Sequence, residues 1–317
     1  MSKRRGVIIG IDEYEDPDIP NLEGARFDAI EIYERLSASE GGLFEISSDH
    51  YLIGEKATYK HIRKAISDIF RRPDDCNVVL LYFSGHGFVD ANGHGYIAPR
   101  DMASEDAFIC GISMEEIRRV MSESLNKKNI VMILDCCYGG IATKGLKPMH
   151  DKEKLREDYD QSLESFSGAG AVVLASSQEH ERSSESICKH KIGDNQEHTH
   201  GRFTFHLLEG LGGEAANASG VITLDALRHY VENKMKDRPE QKPTMYVERG
   251  QGIENLPIAI SSQLVQKKIE YTIELCNKRD IQGLQEATFI ISEIIKNNKK
   301  RFYWDLKMKH GYICNHI

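Results

Sequence analysis

The sequence predicts an α/β chain, a three-layer α/β/α sandwich around a largely parallel sheet. Three observations carry this expectation. Short runs such as NVVLLYF at 77–83, IVMIL at 130–134 and GAVVLA at 170–175 are predominantly apolar, the second without a break. Strands that alternate have one wet face, whereas unbroken runs of this length suit strands buried on both faces. Segments with helical periodicity lie between them. Finally, two of the runs end in small residues and reactive side chains: Ser84-Gly85-His86-Gly87 after the first, and Asp135-Cys136-Cys137 with Gly139-Gly140 after the second. In open α/β sheets, reactive groups gather beyond the carboxyl ends of the strands.

In chain order, residues 4–10 read as a first strand, and 11–23 as a polar loop with Pro17 and Pro20. Residues 24–37 place Ala25, Phe27, Ala29, Ile30, Ile32, Tyr33 and Leu36 on an approximate helical stripe. A short strand at 50–53 precedes a helix at 58–70, with Thr58 as N-cap and Ile62, Ala65, Ile66 and Ile69 on one face. The turn 90–93 leads into a hairpin arm at 95–99. The SMEE stretch opens a helix at 113–124 as a capping box, Ser113 at N-cap and Glu116 three residues on. Residues 141–168 are dense in charge and read mostly as an exposed loop with room for a short helix. The His-rich segment 186–202 also reads as a loop. Helices are expected at 203–212, closed by glycine, and at 223–235, with an edge strand at 243–247. The body is expected to span 1–260. The segment 261–317 has helical periodicity and reads as an appendage.

The bulk properties narrow the function. The 317 residues carry a net charge of −8, but residues 261–317 are basic at +4, so the rest is at −12. An acidic body argues against a nucleic-acid partner. No apolar run is long enough for a membrane span, and residues 7–9 are too short for a signal h-region, so a cytoplasmic protein without membrane contact is expected. Seven cysteines, an odd number without a CxxC pair, suit a reducing compartment and argue against a zinc site.

A cysteine attacks as its thiolate, and a free thiol has a pKa of about 8.5. A histidine beside it can take the proton and later return it to a leaving amine. His86 and Cys137 are the candidates, each after an apolar strand and each bordered by glycine. The amides of Gly87 and Cys137 are candidate oxyanion donors. Taken singly, His86 is a loop histidine and Cys137 a buried thiol; the pair in one pattern is what points to catalysis.

YFSGHG at 82–87 and DCCYGG at 135–140 resemble the His and Cys motifs of caspase-like cysteine proteases, peptidase family C14. They look closest to the metacaspase and prokaryotic orthocaspase branch. The metacaspase motif reads Asp-Ser-Cys-His-Ser-Gly and the caspase motif Gln-Ala-Cys-x-Gly. On that register Cys137 is the nucleophile, Cys136 takes the small-residue position and Asp135 the first. The separation of 51 residues between His86 and Cys137 fits as well. VIIGID, Asp28 in LEGARFDA, GYIAPRD, VVLASSQEHERSSE and GRFTFHLLEGL also match, covering about residues 4–250.

The resemblance implies a six-stranded caspase-like sheet and a thiol endopeptidase. In metacaspases an acidic S1 pocket holds Arg or Lys, and the matching residues here are Asp28 and Asp135. A carboxylate pair would repel a P1 Asp and pair with a guanidinium. Read alone, Asp28 is a surface helix residue and Asp135 a turn cap. No cofactor is required by such a dyad. Calcium-dependent relatives use an aspartate cluster, for which Asp101 matches one member, Glu115 and Glu116 stand where an Asp pair would be, and Lys144 replaces a later acid. That set is incomplete for calcium. The linker 141–168 is where relatives are processed, which makes Lys144, Lys147, Lys152, Lys154 and Arg156 candidates for self-cleavage. The basic segment 261–317 could dock a regulatory protein. Two rivals stay open: a catalytically silent scaffold that binds a partner, and a hydrolase of the same clan with another P1 preference. An α/β-hydrolase lacks its GxSxG elbow here.

Overall fold

The computed structural model describes residues 3–37, 41–71, 76–90, 94–104, 107–123, 129–136, 171–176, 187–192, 196–237, 243–247, 255–261, 267, 270 and 271. Strand β1 (Lys3–Gly10) is followed by helix α1 (Ala25–Ser37), β2 (Tyr51–Ile53), α2 (Tyr59–Arg71) and β3 (Cys76–Ser84). A small antiparallel sheet follows: β4 (Gly87–Val89), β5 (Gly95–Ile97) and β6 (Ile112–Ser113). Then come α3 (Met114–Ser122), β7 (Asn129–Asp135), β8 (Ala171–Ala175), β9 (Ile187–Ile192), β10 (Gln196–Gly201), α4 (Arg202–Glu209), β11 (Val221–Thr223), α5 (Leu224–Lys234), β12 (Thr244–Val247) and β13 (Pro257–Ile260).

The main sheet has six strands in the order β12-β8-β7-β3-β1-β2. Five run parallel, and only the edge strand β12 is antiparallel, against β8. Both faces are covered. Val79, Leu81, Phe83, Met132 and Leu134 pack with Ile62, Ile66, Ile69, Ile117 and Met121 of α2 and α3. The alternate residues Leu80, Tyr82, Val131, Ile133 and Leu174 pack with Ile32, Leu36, Phe203, Leu207 and Val231 of α1, α4 and α5. Each fully buried aliphatic or aromatic side chain contributes on the order of 1.5–3 kcal/mol. This two-sided burial is why the strands read as unbroken apolar runs. Gly10 permits close packing at the end of β1, since a Cβ there would lie 2.4 Å from that of Ala29.

Helix α2 is capped twice. Thr58 Oγ1 accepts from the His61 N–H at 3.4 Å, and Asp101 Oδ1 accepts from the Tyr59 N–H at 2.6 Å. Thr223 caps α5, its hydroxyl accepting from the Ala226 N–H at 3.2 Å. At α3 the expected capping box is absent. Ser113 stands at N-cap with an extended backbone but makes no side-chain cap bond, and Glu116 turns to pair with Arg63 of α2.

Three further expectations are corrected. Segment 186–202 is not a loop over its described residues: β9 and β10 form an antiparallel hairpin, with His200 opposite Cys188. In α1, Phe27, Ile30 and Tyr33 are only partly buried, and Asp28 and Glu31 take places in the buried stripe instead. The helix expected at 203–212 ends at Glu209 and continues as a wider turn, Gly210–Glu214. Gly213 adopts φ 132° there, where a Cβ would meet Ser261 Oγ at 2.5 Å. The short pair β11–β13 went unread in the sequence. It ties the body through residue 261: Arg4 donates to the Pro257 carbonyl, and the Ser261 N–H to Gly220 O at 2.8 Å.

Candidate active site

Register brings the carboxyl ends of the central strands level. Gly10 of β1 stands opposite Ser84 of β3, and Ser84 stands opposite Asp135 of β7. The Gly85 N–H donates to Asp135 O at 3.3 Å, and the Ser176 N–H to Leu134 O at 2.9 Å. Ser84, Asp135 and Ser176 therefore make a polar row where the apolar strands stop.

His86 follows β3 by two residues and is 8% exposed. Its N–H donates to Tyr14 Oη at 2.8 Å, and the two rings lie 5.0 Å apart. Its Nε2 lies 2.7 Å from the Pro20 carbonyl oxygen. A carbonyl only accepts, so Nε2 carries the proton and Nδ1 of the neutral ring keeps its lone pair. Burial lowers the imidazole pKa, and the Pro20 hydrogen bond opposes that only in part. Gly85 is held in a close approach: a Cβ would meet the Phe83 ring at 2.9 Å and Tyr14 Oη at 3.2 Å. Gly87 opens β4 opposite Ile97.

Cys136 ends the described part of the second motif and is 3% exposed in the core with Met132 and Leu134. Cys137 lies outside the described residues, as do Gly139, Gly140 and the linker candidates Lys144, Lys147, Lys152, Lys154 and Arg156.

Asp28 and Asp135 are brought together. Neither a surface helix residue nor a mere turn cap, they are 1% and 7% exposed. A Cβ on Gly201 would lie 2.9 Å from Asp135 Oδ2 and 3.2 Å from Asp28 Oδ2, so the two carboxylates flank one backbone position. Asp28 accepts from Ser84 Oγ at 3.1 Å and from the Gly201 N–H at 3.2 Å. Asp135 accepts from Ser176 Oγ at 2.9 Å and from Thr204 Oγ1 at 2.7 Å. The Thr204 hydroxyl also lies 2.7 Å from Tyr82 Oη. Burial raises both carboxyl pKa values, and the charge of Asp135 adds to the rise of Asp28, which reaches about 7 despite its hydrogen bonds to His200 and Ser84. Burial and these two carboxylates push the Tyr82 phenol well above its ordinary value.

The sequence reading missed His200. It is fully buried, with Nδ1 2.8 Å from Asp28 Oδ1 and Nε2 3.0 Å from Glu31 Oε1. Burial alone would lower its pKa, but the bonds and charges of the two carboxylates outweigh it and raise the group to about 9. The available signal was two carboxylates, Asp28 and Glu31, inside an apolar helical stripe.

The calcium candidates stand apart in separate bonds. Asp101 caps α2, Glu115 pairs with Arg118 at 2.6 Å, and Glu116 pairs with Arg63. Among the described residues, no group of three or more His, Cys, Asp or Glu side chains could hold a metal ion. A groove between α2 and α3, lined by Arg63, Lys64, Arg71, Glu116 and Arg119, belongs to the other side of the molecule's chemistry, built of surface ion pairs. Among the described residues, no helix is long and apolar enough to cross a membrane.

Comparison with known proteins agrees with this layout. A family model described as "Caspase domain" matches residues 3–251. The crystal structure of protein GSU0716 from Geobacter sulfurreducens is similar in fold, with a TM-score of 0.52 at 16% identity, covering 80% of this chain and 97% of that one. Caspase-1 from Spodoptera frugiperda gives a TM-score of 0.47 at 13% identity, over 78% of this chain and 86% of its own. No curated protein matches the sequence. With most of its length matched and a central, mostly parallel sheet between helical layers, the chain belongs to the caspase-domain family of peptidases.

Proposed function

We propose that the protein is a cysteine endopeptidase that cleaves peptide bonds after Arg or Lys, of the metacaspase and orthocaspase type. Family membership supports a cysteine-peptidase function in general. One observation carries the finer reading: Ser84 and Asp135 are register partners on adjacent parallel strands, and His86 and Cys137 each follow their partner by two residues. Strands lie about 4.8 Å apart, so the two chains leave the sheet as neighbours.

In this reading, neutral His86 takes the Cys137 proton on Nδ1 while Nε2 stays anchored on Pro20. The thiolate attacks the scissile carbonyl, and the N–H groups of Cys137 and Gly87 receive the oxyanion. His86 then protonates the leaving amine, and water hydrolyses the thioester. Asp28 and Asp135 receive the P1 guanidinium or ammonium. Both are covered in this structure, so substrate entry requires their cover to move. Self-cleavage at Lys144, Lys147, Lys152, Lys154 or Arg156 would supply such a step. The dyad needs no cofactor, and calcium, if it acts, would act outside it. Residues 1–260 form the peptidase domain, and 261–317 an appendage for a regulatory protein partner; the substrates are cytoplasmic proteins rather than nucleic acid or membrane.

The test is a P1-diverse peptide library, assayed with wild type and Cys137→Ala, with and without calcium, alongside intact-mass analysis. Cleavage after Arg or Lys that vanishes in Cys137→Ala is the expected result. A preference for P1 Asp or Leu would overturn the specificity, and wild type that stays full length while turning over peptide would exclude self-processing.

A further inference from the structure

The proposed reaction leaves one buried ionisable group unused. His200 touches two carboxylates that lie three residues apart on the same face of α1. A neutral imidazole has one donor and one acceptor, so against two carboxylates only the imidazolium satisfies both with hydrogen. The next residue grips Asp28 again, through the Gly201 N–H at 3.2 Å. The end of β10 thus fixes the Asp28 carboxylate from two consecutive positions.

The charges facing this imidazole are Asp28 and Glu31 from α1; Asp135 of β7 acts on Asp28, and both carboxylates act on the Tyr82 phenol of β3. Cys188 is its register partner on β9, and Arg202 follows in the chain. Three carboxylates with one imidazolium leave a surplus of negative charge, which a basic side chain could take. Without the imidazolium, Asp28 would sit buried beside Asp135 and take up a proton. A neutral carboxylic acid has no charge with which to hold a guanidinium.

Resting on the reading of Asp28 and Asp135 as the P1-binding carboxylates, we propose that His200 is a positioning residue that keeps Asp28 ionised and aimed, so that the site separates a charged P1 side chain from a neutral one of the same shape. The order agrees: His200 is raised to about 9 and Asp28 to about 7, so the imidazole holds its proton more tightly than the carboxyl does.

The experiment compares wild type, His200→Gln and Glu31→Gln on paired peptides with P1 arginine and P1 citrulline, from about pH 6 to 9.5. The ratio of their kcat/KM values cancels the titrations of His86 and Cys137, which both substrates share. His200→Gln should lower that ratio at least about tenfold near pH 7, mainly through KM for arginine, and recover as rising pH ionises Asp28 unaided. Glu31→Gln should shift it the same way by less. Histidine-selective NMR of the wild type should show both ring nitrogens of His200 protonated near pH 7. A ratio unmoved by His200→Gln while wild type prefers arginine overturns this inference alone. If that variant does not fold, an unmoved ratio in Glu31→Gln or a neutral His200 by NMR overturns it. A wild type that cleaves other peptides but not the arginine one removes the P1 reading and this inference with it.

Discussion

Two histidines lie near the carboxyl end of β3, one just after the strand and one beside Asp28, both buried, and the fold drives them in opposite directions. His86 has a carbonyl for its partner, and desolvation wins: its pKa falls. His200 has two carboxylates, and they outweigh the same penalty, raising it to about 9. Burial alone therefore does not set the charge of an imidazole; the charge of what it touches does. One ring is biased to the neutral form with its Nδ1 lone pair, the other to the charged form.

The comparison breaks most visibly by deleting one member of the proposed dyad. His86→Ala or Cys137→Ala should lower kcat by at least about 10²–10⁴-fold, read with the preferred peptide. His86 is buried against Tyr14, so His86→Ala should also cost some thermal stability. Next in size, Asp28→Asn and Asp135→Asn should each raise KM for an Arg peptide about tenfold or more while leaving kcat on a neutral P1 peptide nearly unchanged. An equal loss on both peptides would remove these residues from specificity. Tyr14→Phe keeps the ring beside His86 but leaves its buried N–H without an acceptor. A stability loss of about 1–3 kcal/mol and a moderate fall in kcat should follow in denaturant melts and kinetics.

The two histidines should also separate in the pH dependence of stability. His86 has a folded pKa below its ordinary 6.5, so its contribution is present above that value and is lost as pH falls through the lowered folded value. His200 is raised, so its contribution is present below 6.5 and is lost as pH rises through about 9. Melting curves should show His200→Gln flattening the alkaline limb and His86→Gln the acid limb; the reverse would mean that the charge states are exchanged. The smallest effect belongs to Glu116→Gln. Its pair with Arg63 is partly exposed, so the change should be within about 1 kcal/mol and leave any calcium response untouched.

Much of the fold was legible because two-sided burial writes itself as unbroken apolar runs: β3, β7 and β8 were all read within a residue or so. The β9–β10 hairpin was not, because a polar ribbon paired only with itself carries no such signal. His200 was hidden for a related reason. Its partners lie 172 and 169 residues away, and nothing local marks a histidine as the mate of a distant helix. Asp28 came from the motif resemblance, yet Glu31, three residues on, belongs to no quoted motif. Ser113 shows the opposite failure: a complete local signature whose glutamate was drawn off by an arginine on the next helix.

The Ser84–Asp135 register pair has a consequence for how such a chain can change length. Because His86 and Cys137 each stand two residues past a register partner, insertions past Gly87 or past Gly140 leave that count intact. A single residue added between Ser84 and His86, or between Asp135 and Cys137, changes that count on one strand and not on the other. The loops may lengthen freely, but the two intervals of two residues admit no insertion.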